Sequence, residues 1–158
     1  MPIAAVRGAT TAGGNTPRAI RSAVRELTAR LLSENRLKPR DLVAAFFTAT
    51  RDLTAAFPAE AARDLGLSSV PLLCAQEIPV KGAPRRCLRI LLLANTRRRL
   101  KPVYLNAARR LRPDLAGASA FLALEIGLPF AAADIAADLR RSAADLAERD
   151  RADGLRQR

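Results

Sequence analysis

Val70-Pro-Leu-Leu-Cys-Ala-Gln-Glu77 and Arg85-Arg-Cys-Leu-Arg-Ile-Leu-Leu-Leu93 are two β-type runs separated by Ile78-Pro79-Val80-Lys81-Gly82-Ala83-Pro84. The prolines and the glycine punctuate that separator as a connection rather than a helix. Glu77 closes the first run, and Arg89 lies inside the second, between Leu88 and Ile90. A guanidinium in a buried strand needs an anion, because an unpaired buried charge costs several kcal/mol. Glu77, another acid or a negatively charged ligand fills that need. A purely structural Arg–Glu pair, or an edge-strand arginine facing water, accounts for the same residues.

Outside this segment, composition narrows the chemistry. The chain has 158 residues, enough for one domain with a real core. It has no apolar run long enough to span a membrane. Met1-Pro-Ile-Ala-Ala-Val-Arg7 lacks the basic and apolar regions of a secretory signal, so a cytoplasmic location is expected. Cys74 and Cys87 both sit in apolar runs, which suits reduced, buried thiols better than a bridge. With no histidine, a structural zinc site is not expected. The same absence removes the commonest general base and every Ser-His or Cys-His nucleophile pair. A reaction catalysed here would not depend on a proton relay.

The net charge of +12 is concentrated. Residues 1–115 carry 21 Lys/Arg against 8 Asp/Glu, whereas residues 116–158 carry 6 against 7. The basic part attracts polyanions and small anions alike. Nucleic-acid binding usually adds aromatic platforms interleaved with basic residues. Five Phe, one Tyr and no Trp do not supply them, so a small anion fits better.

Residues 3–7 read as a strand ending at Arg7-Gly8, where Gly8 permits positive φ or a close approach. Thr16-Pro17 is a helix start, and Ile20, Val24, Leu27, Leu31 and Leu32 recur at helical spacing to about residue 35. Leu42–Thr50 reads as a strand apolar on both faces, as in a central position covered on each side. Phe57-Pro58 opens a short helix stopped at Gly66, on which Glu60 and Arg63 are spaced to meet. Asn95–Lys101 is a basic turn, and Pro102 opens a third helix that Pro113 ends. The Ala-rich residues 116–158 carry one thin stripe, Ile135, Leu139 and Leu146, on a helix expected over about 131–150. The chain thus divides into a main domain, 1–115, and a partly helical C-terminal extension, 116–158.

Five segments, in order, resemble the AroH class of chorismate mutases, the trimeric Bacillus type. They are Val6–Thr11; Asp52-Leu53 with Phe57-Pro58-Ala59 and Arg63; Val70-Pro71 with Cys74 and Gln76-Glu77; Cys87-Leu88-Arg89; and Val103-Tyr104-Leu105 leading to Leu111–Leu115. The resemblance implies an α+β fold, a mixed β-sheet with helices on its outside, three copies forming a trimeric pseudo-α/β-barrel with sites between neighbours. It implies the rearrangement of chorismate to prephenate, with no cofactor and no metal.

By the same resemblance, Arg89 donates to the breaking ether oxygen and a carboxylate, and Arg7 and Tyr104 bind carboxylate. Glu77 accepts from the ring hydroxyl, with Cys74 beside it. Arg63 closes over the cleft, and Phe57, Ala59, Leu73 and Leu111 form walls, with Arg112 at the periphery. Glu60 stands where family members often carry lysine, so weaker attraction for a dianion is expected. The Asn95–Tyr104 segment is shorter, and the tail longer, than the family pattern.

The chemistry agrees with the residues. Chorismate is a dicarboxylate whose pericyclic step needs neither nucleophile nor proton transfer, only a compact conformer and stabilised charge on the departing oxygen. Two other readings compete: a paralogue that binds an anionic metabolite without turnover, and a basic nucleic-acid-binding module.

Overall fold

In an extended chain successive side chains point to opposite faces, so Cys87-Leu-Arg-Ile-Leu-Leu-Leu-Ala-Asn95 sorts itself into two layers. The computed structural model describes residues 2–115. In it Leu88, Ile90, Leu92 and Ala94 are buried, whereas Arg89, Leu91 and Asn95 are exposed. The elements run β1 (Ile3–Thr11), α1 (Pro17–Glu34), β2 (Leu42–Ala49), α2 (Pro58–Ala62), β3 (Leu72–Gln76), β4 (Cys87–Asn95) and β5 (Val103–Tyr104), followed by a 3₁₀ turn over Asn106–Leu111. They form one five-stranded mixed sheet in the order β3-β2-β4-β1-β5. β4 lies antiparallel to β1 and β2, while β2–β3 and β1–β5 are parallel.

α1 forms where the sequence provides both a start and a stripe. The Thr16 hydroxyl accepts from the Ala19 amide at 3.2 Å, and Pro17 occupies the first helical position. Ile20, Val24, Leu27 and Leu31 are fully buried in one core with Val6, Phe47, Leu88, Ile90 and Leu92. Each such side chain contributes roughly 1.5–3 kcal/mol by leaving water. Gly8 of β1 faces this helix. A β-carbon there would stand 2.9 Å from Leu27 Cδ1 and 2.9 Å from the Val103 carbonyl oxygen. Close approach, not positive φ, is why glycine occupies the position.

The α+β expectation of a mixed sheet with outside helices is met within a single chain, with three corrections. β1 continues to Thr11, so Arg7 lies mid-strand rather than at the strand end. β2 is interior, paired with β3 and β4, but it is covered on one face only: it buries Ala45 and Phe47 while Phe46 stays exposed on the other face. No third helix begins at Pro102. Val103 and Tyr104 pair in parallel with Gly8 and Ala9 of β1, and that ladder overrides helical spacing; helical backbone starts only after Leu105, with the 3₁₀ turn and then residues 113–115.

Connections are fixed by side chains rather than by turn composition alone. Asn35, buried at the end of α1, donates to the Leu31 and Lys101 carbonyls at 2.9 and 3.0 Å and accepts from the Lys101 amide at 2.6 Å. This holds the basic segment against α1 and sets the entry to β5. Asn15 Oδ1 accepts from the Thr54 and Ala55 amides, fixing the loop that leads to Phe57. No helix among the described residues is long and apolar enough to cross a membrane. The expected helix over 131–150 lies outside the described residues.

Candidate active site

One face of the sheet is covered by α1 and α2; the other carries the charged residues singled out from sequence. Register puts Thr48 opposite Arg89, and Arg89 opposite Ala9, with Tyr104 beside Ala9. Arg7 and Leu91 form the next pair along, on the same face. Glu77 follows β3, its amide donating to the Ala49 carbonyl at 2.9 Å, which extends the ladder by one position. Two residues after Ala75, the register partner of Thr48, it returns to that face.

Here Arg89 Nε stands 3.4 Å from Glu77 Oε1. The Glu77 side chain is only 11% exposed, whereas Arg89 is 45% exposed. This corrects the placement of Arg89 in a buried strand: it lies half exposed on the open face, paired with Glu77. Thr48 Oγ1 donates to the same Glu77 oxygen at 2.7 Å. Sequence reasoning missed Thr48, because the parallel pairing that brings β2 beside Glu77 leaves no local signal.

Around Ala9, the open face is covered by the 3₁₀ turn. Ala9, Cys87, Tyr104 and Ala108 make a small apolar cluster, against which Leu111 packs. Tyr104 is buried and Cys87 fully so. Burial foremost, and then the charge of Glu77, pushes the Cys87 thiol up, keeping it neutral. Arg112 does not point freely. Its Nε and Nη2 grip the Asp114 carboxylate at 2.9 and 2.6 Å, which, with a smaller contribution from Arg7, holds that carboxyl below its usual range.

A second group stands on the helix-covered side, at the sheet edge. Phe57, Ala59, Glu60, Arg63, Leu72 and Cys74 line a shallow cleft of about 220 Å³. Cys74 pairs in register with the buried Phe47, so it faces away from Glu77 and Arg89 of its own chain. Leu73 points to the open face beside Phe46 and is 57% exposed. The chain therefore brings Arg7, Glu77, Arg89, Tyr104 and Leu111 to one face and separates them from Phe57, Ala59, Arg63 and Cys74.

Glu60 does not meet Arg63, as spacing suggested. Its Oε2 accepts from Arg21 Nη2 at 3.1 Å, and Arg25 pairs with Asp64. These pairs tie the α2 arm to α1, and Arg21 offsets the charge expected to repel a dianion. At the far end of β4, Asp52 accepts from the Thr50 hydroxyl at 2.6 Å and from the Arg86 amide at 2.9 Å. Those bonds, the hydroxyl's foremost, hold its carboxyl below the usual range and fix the residue just before Cys87. Among the described residues no group of three His, Cys, Asp or Glu is placed to hold a metal ion.

Residues 3–115 match the family model described as chorismate mutase type I. The chain is 50% identical over 117 residues to a Thermus thermophilus protein named Chorismate mutase AroH, covering 72% of this chain and 96% of that protein. It is 39% identical over 119 residues to the protein of the same name from Bacillus subtilis (strain 168), covering 73% and 94%. The solved structure of a chorismate mutase from Clostridium thermocellum matches with a TM-score of 0.66 at 40% identity, covering 68% of this chain and 98% of that one.

Proposed function

The chain belongs to the type I chorismate mutase family, and from that membership we propose that it catalyses the rearrangement of chorismate to prephenate, a step of phenylalanine and tyrosine biosynthesis. The observation that carries the proposal is the Arg89–Glu77 pair on the open face, at 3.4 Å, with Arg7 on the same face. A cation anchored through Nε leaves its terminal nitrogens for an anion. That is the arrangement a pericyclic step needs, since the enzyme's work is to restrict the substrate to its reactive conformer and to stabilise negative charge on the departing ether oxygen.

In this reading Arg89 donates to the ether oxygen and one carboxylate, while Arg7 and Tyr104 hold carboxylate. Glu77 accepts from the ring hydroxyl. The reaction is intramolecular and asks for no cofactor. A well-placed donor of the Arg89 kind is worth about 3–4 kcal/mol of barrier.

A second copy completes the site. Ile3, Phe46, Leu73 and Leu91 form an apolar surface on the open face of one chain, which supports burial against another copy. Three copies closing into a pseudo-barrel would lay the edge group of one chain, Phe57, Ala59, Arg63 and Cys74, over the charged face of its neighbour. Cys74, which faces away from Glu77 of its own chain, would then reach the substrate hydroxyl from across the interface, with Leu73 and Leu111 as walls and Arg112 at the rim. Residues 1–115 form the catalytic domain in this proposal, and residues 116–158 are an extension to it.

Purified full-length protein incubated with chorismate, followed by the loss of its ultraviolet absorbance and by product analysis, tests this. Turnover to prephenate is expected. Citrulline at position 89, a neutral near-isostere, is expected to lower kcat by at least about 10²–10³ with assembly intact. Tight binding of chorismate without conversion would overturn the proposal in favour of a metabolite-binding protein.

A further inference from the structure

Resting on the chorismate mutase reading, we infer that Thr48 is a positioning residue for Glu77 and, through it, for Arg89. Thr48 stands between the two: it is the register partner of Arg89 across β2–β4, and its hydroxyl donates to Glu77 Oε1 at 2.7 Å. Arg89 Nε approaches the same oxygen at 3.4 Å, and among the described residues no hydrogen bond reaches Oε2.

Carboxylate and guanidinium left to themselves favour a two-bond, fork-to-fork pairing. Such a pairing here would occupy both Glu77 oxygens and a terminal nitrogen of Arg89, withdrawing from substrate the groups the reaction uses. By engaging Oε1, the Thr48 hydroxyl holds Glu77 so that Oε2 remains an acceptor for the substrate's hydroxyl. Arg89 then pairs with Glu77 through Nε, and its 45% exposed side chain stays open to an anion. The half-buried position of Thr48 and the 11% exposure of Glu77 keep water from easily replacing the bond.

Thr48→Val removes the donor but keeps the size, the β-branching and the strand preference. In chorismate turnover it is expected to lower kcat/KM about tenfold, mostly in kcat, as for loss of one hydrogen bond to a charged group. The melting temperature should stay within a few degrees of the unaltered protein. Thr48→Ser, which keeps the hydroxyl, should recover most of the loss. In a Glu77→Gln background Thr48→Val should cost less than about twofold, because the interaction is already weakened. Should the valine variant not fold, Thr48→Ala enters the same cycle.

Unchanged kcat/KM in Thr48→Val, no recovery in Thr48→Ser, or an equal penalty in the Glu77→Gln background would each overturn the inference while leaving the functional reading intact. Absence of turnover in the unaltered protein would instead overturn that reading, and this inference with it.

Discussion

Arg89 and Cys87 are two residues apart on one strand and on one face, yet their environments separate their roles. Arg89 is 45% exposed and anchored by Glu77; Cys87 is fully buried with its thiol pushed up. Alkylation near pH 8 should therefore leave Cys87 unmodified in the native protein and label it only after unfolding, read by mass spectrometry. The chain has no histidine, the one side chain whose ordinary pKa falls in the neutral range. kcat for chorismate should accordingly stay flat from about pH 6 to 8; a bell-shaped profile there would point to proton transfer that the proposed reaction does not use. At this scale the sequence was informative where charge interrupted an apolar run, as at Arg89 and Glu77. It was silent about Thr48, whose role exists only once β2 and β3 pair.

At the scale of elements, close packing and a few buried polar bonds set where the site's strands lie. Gly8→Ala would force a β-carbon to within 2.9 Å of the Val103 backbone oxygen, which cannot rotate away. A loss of about 1–3 kcal/mol is expected in denaturant unfolding, with Tyr104 displaced as β5 shifts. Asp52 supplies a pH-dependent counterpart. Its carboxyl is held low in the folded state, so it stabilises the fold above the ordinary carboxylate pKa, and that contribution fades as pH falls through the lowered value. Asp52→Asn should be less stable than the unaltered protein at neutral pH, with the two unfolding curves converging in acid. Helix α1 and strands β3 and β4 were legible because cap, stripe and alternation agree. Strand β5 reads as helix from sequence, since Val103, Ala107 and Leu111 mimic helical spacing and its two residues are specified by pairing with Gly8 and Ala9, which lie far away in sequence. Likewise the sequence of β2 implies cover on both faces: its apolar outer face is real, but one chain supplies a cover for only one side.

For the whole molecule, the two separated groups of site residues and the apolar open face belong to one explanation. Phe46 and Leu91 are register partners, 38% and 39% exposed. In the proposed assembly a neighbour's edge group covers Arg89, so replacing both with Glu should yield protomers by sedimentation and abolish turnover. Nothing in the linear order of Phe57, Arg63 and Cys74 revealed that they face away from Arg89, since facing is a property of register and of which edge β3 occupies. The most direct measurement is chorismate turnover by mixed oligomers. Arg89→Ala and Arg63→Ala disable different groups, so each alone should be nearly inactive. Unfolded together in equal amounts and refolded, random assembly of a ring should recover up to about a quarter of the unaltered activity, since that fraction of interfaces pairs two intact halves. Activity no greater than the sum of the two separate variants would contradict a site shared between copies.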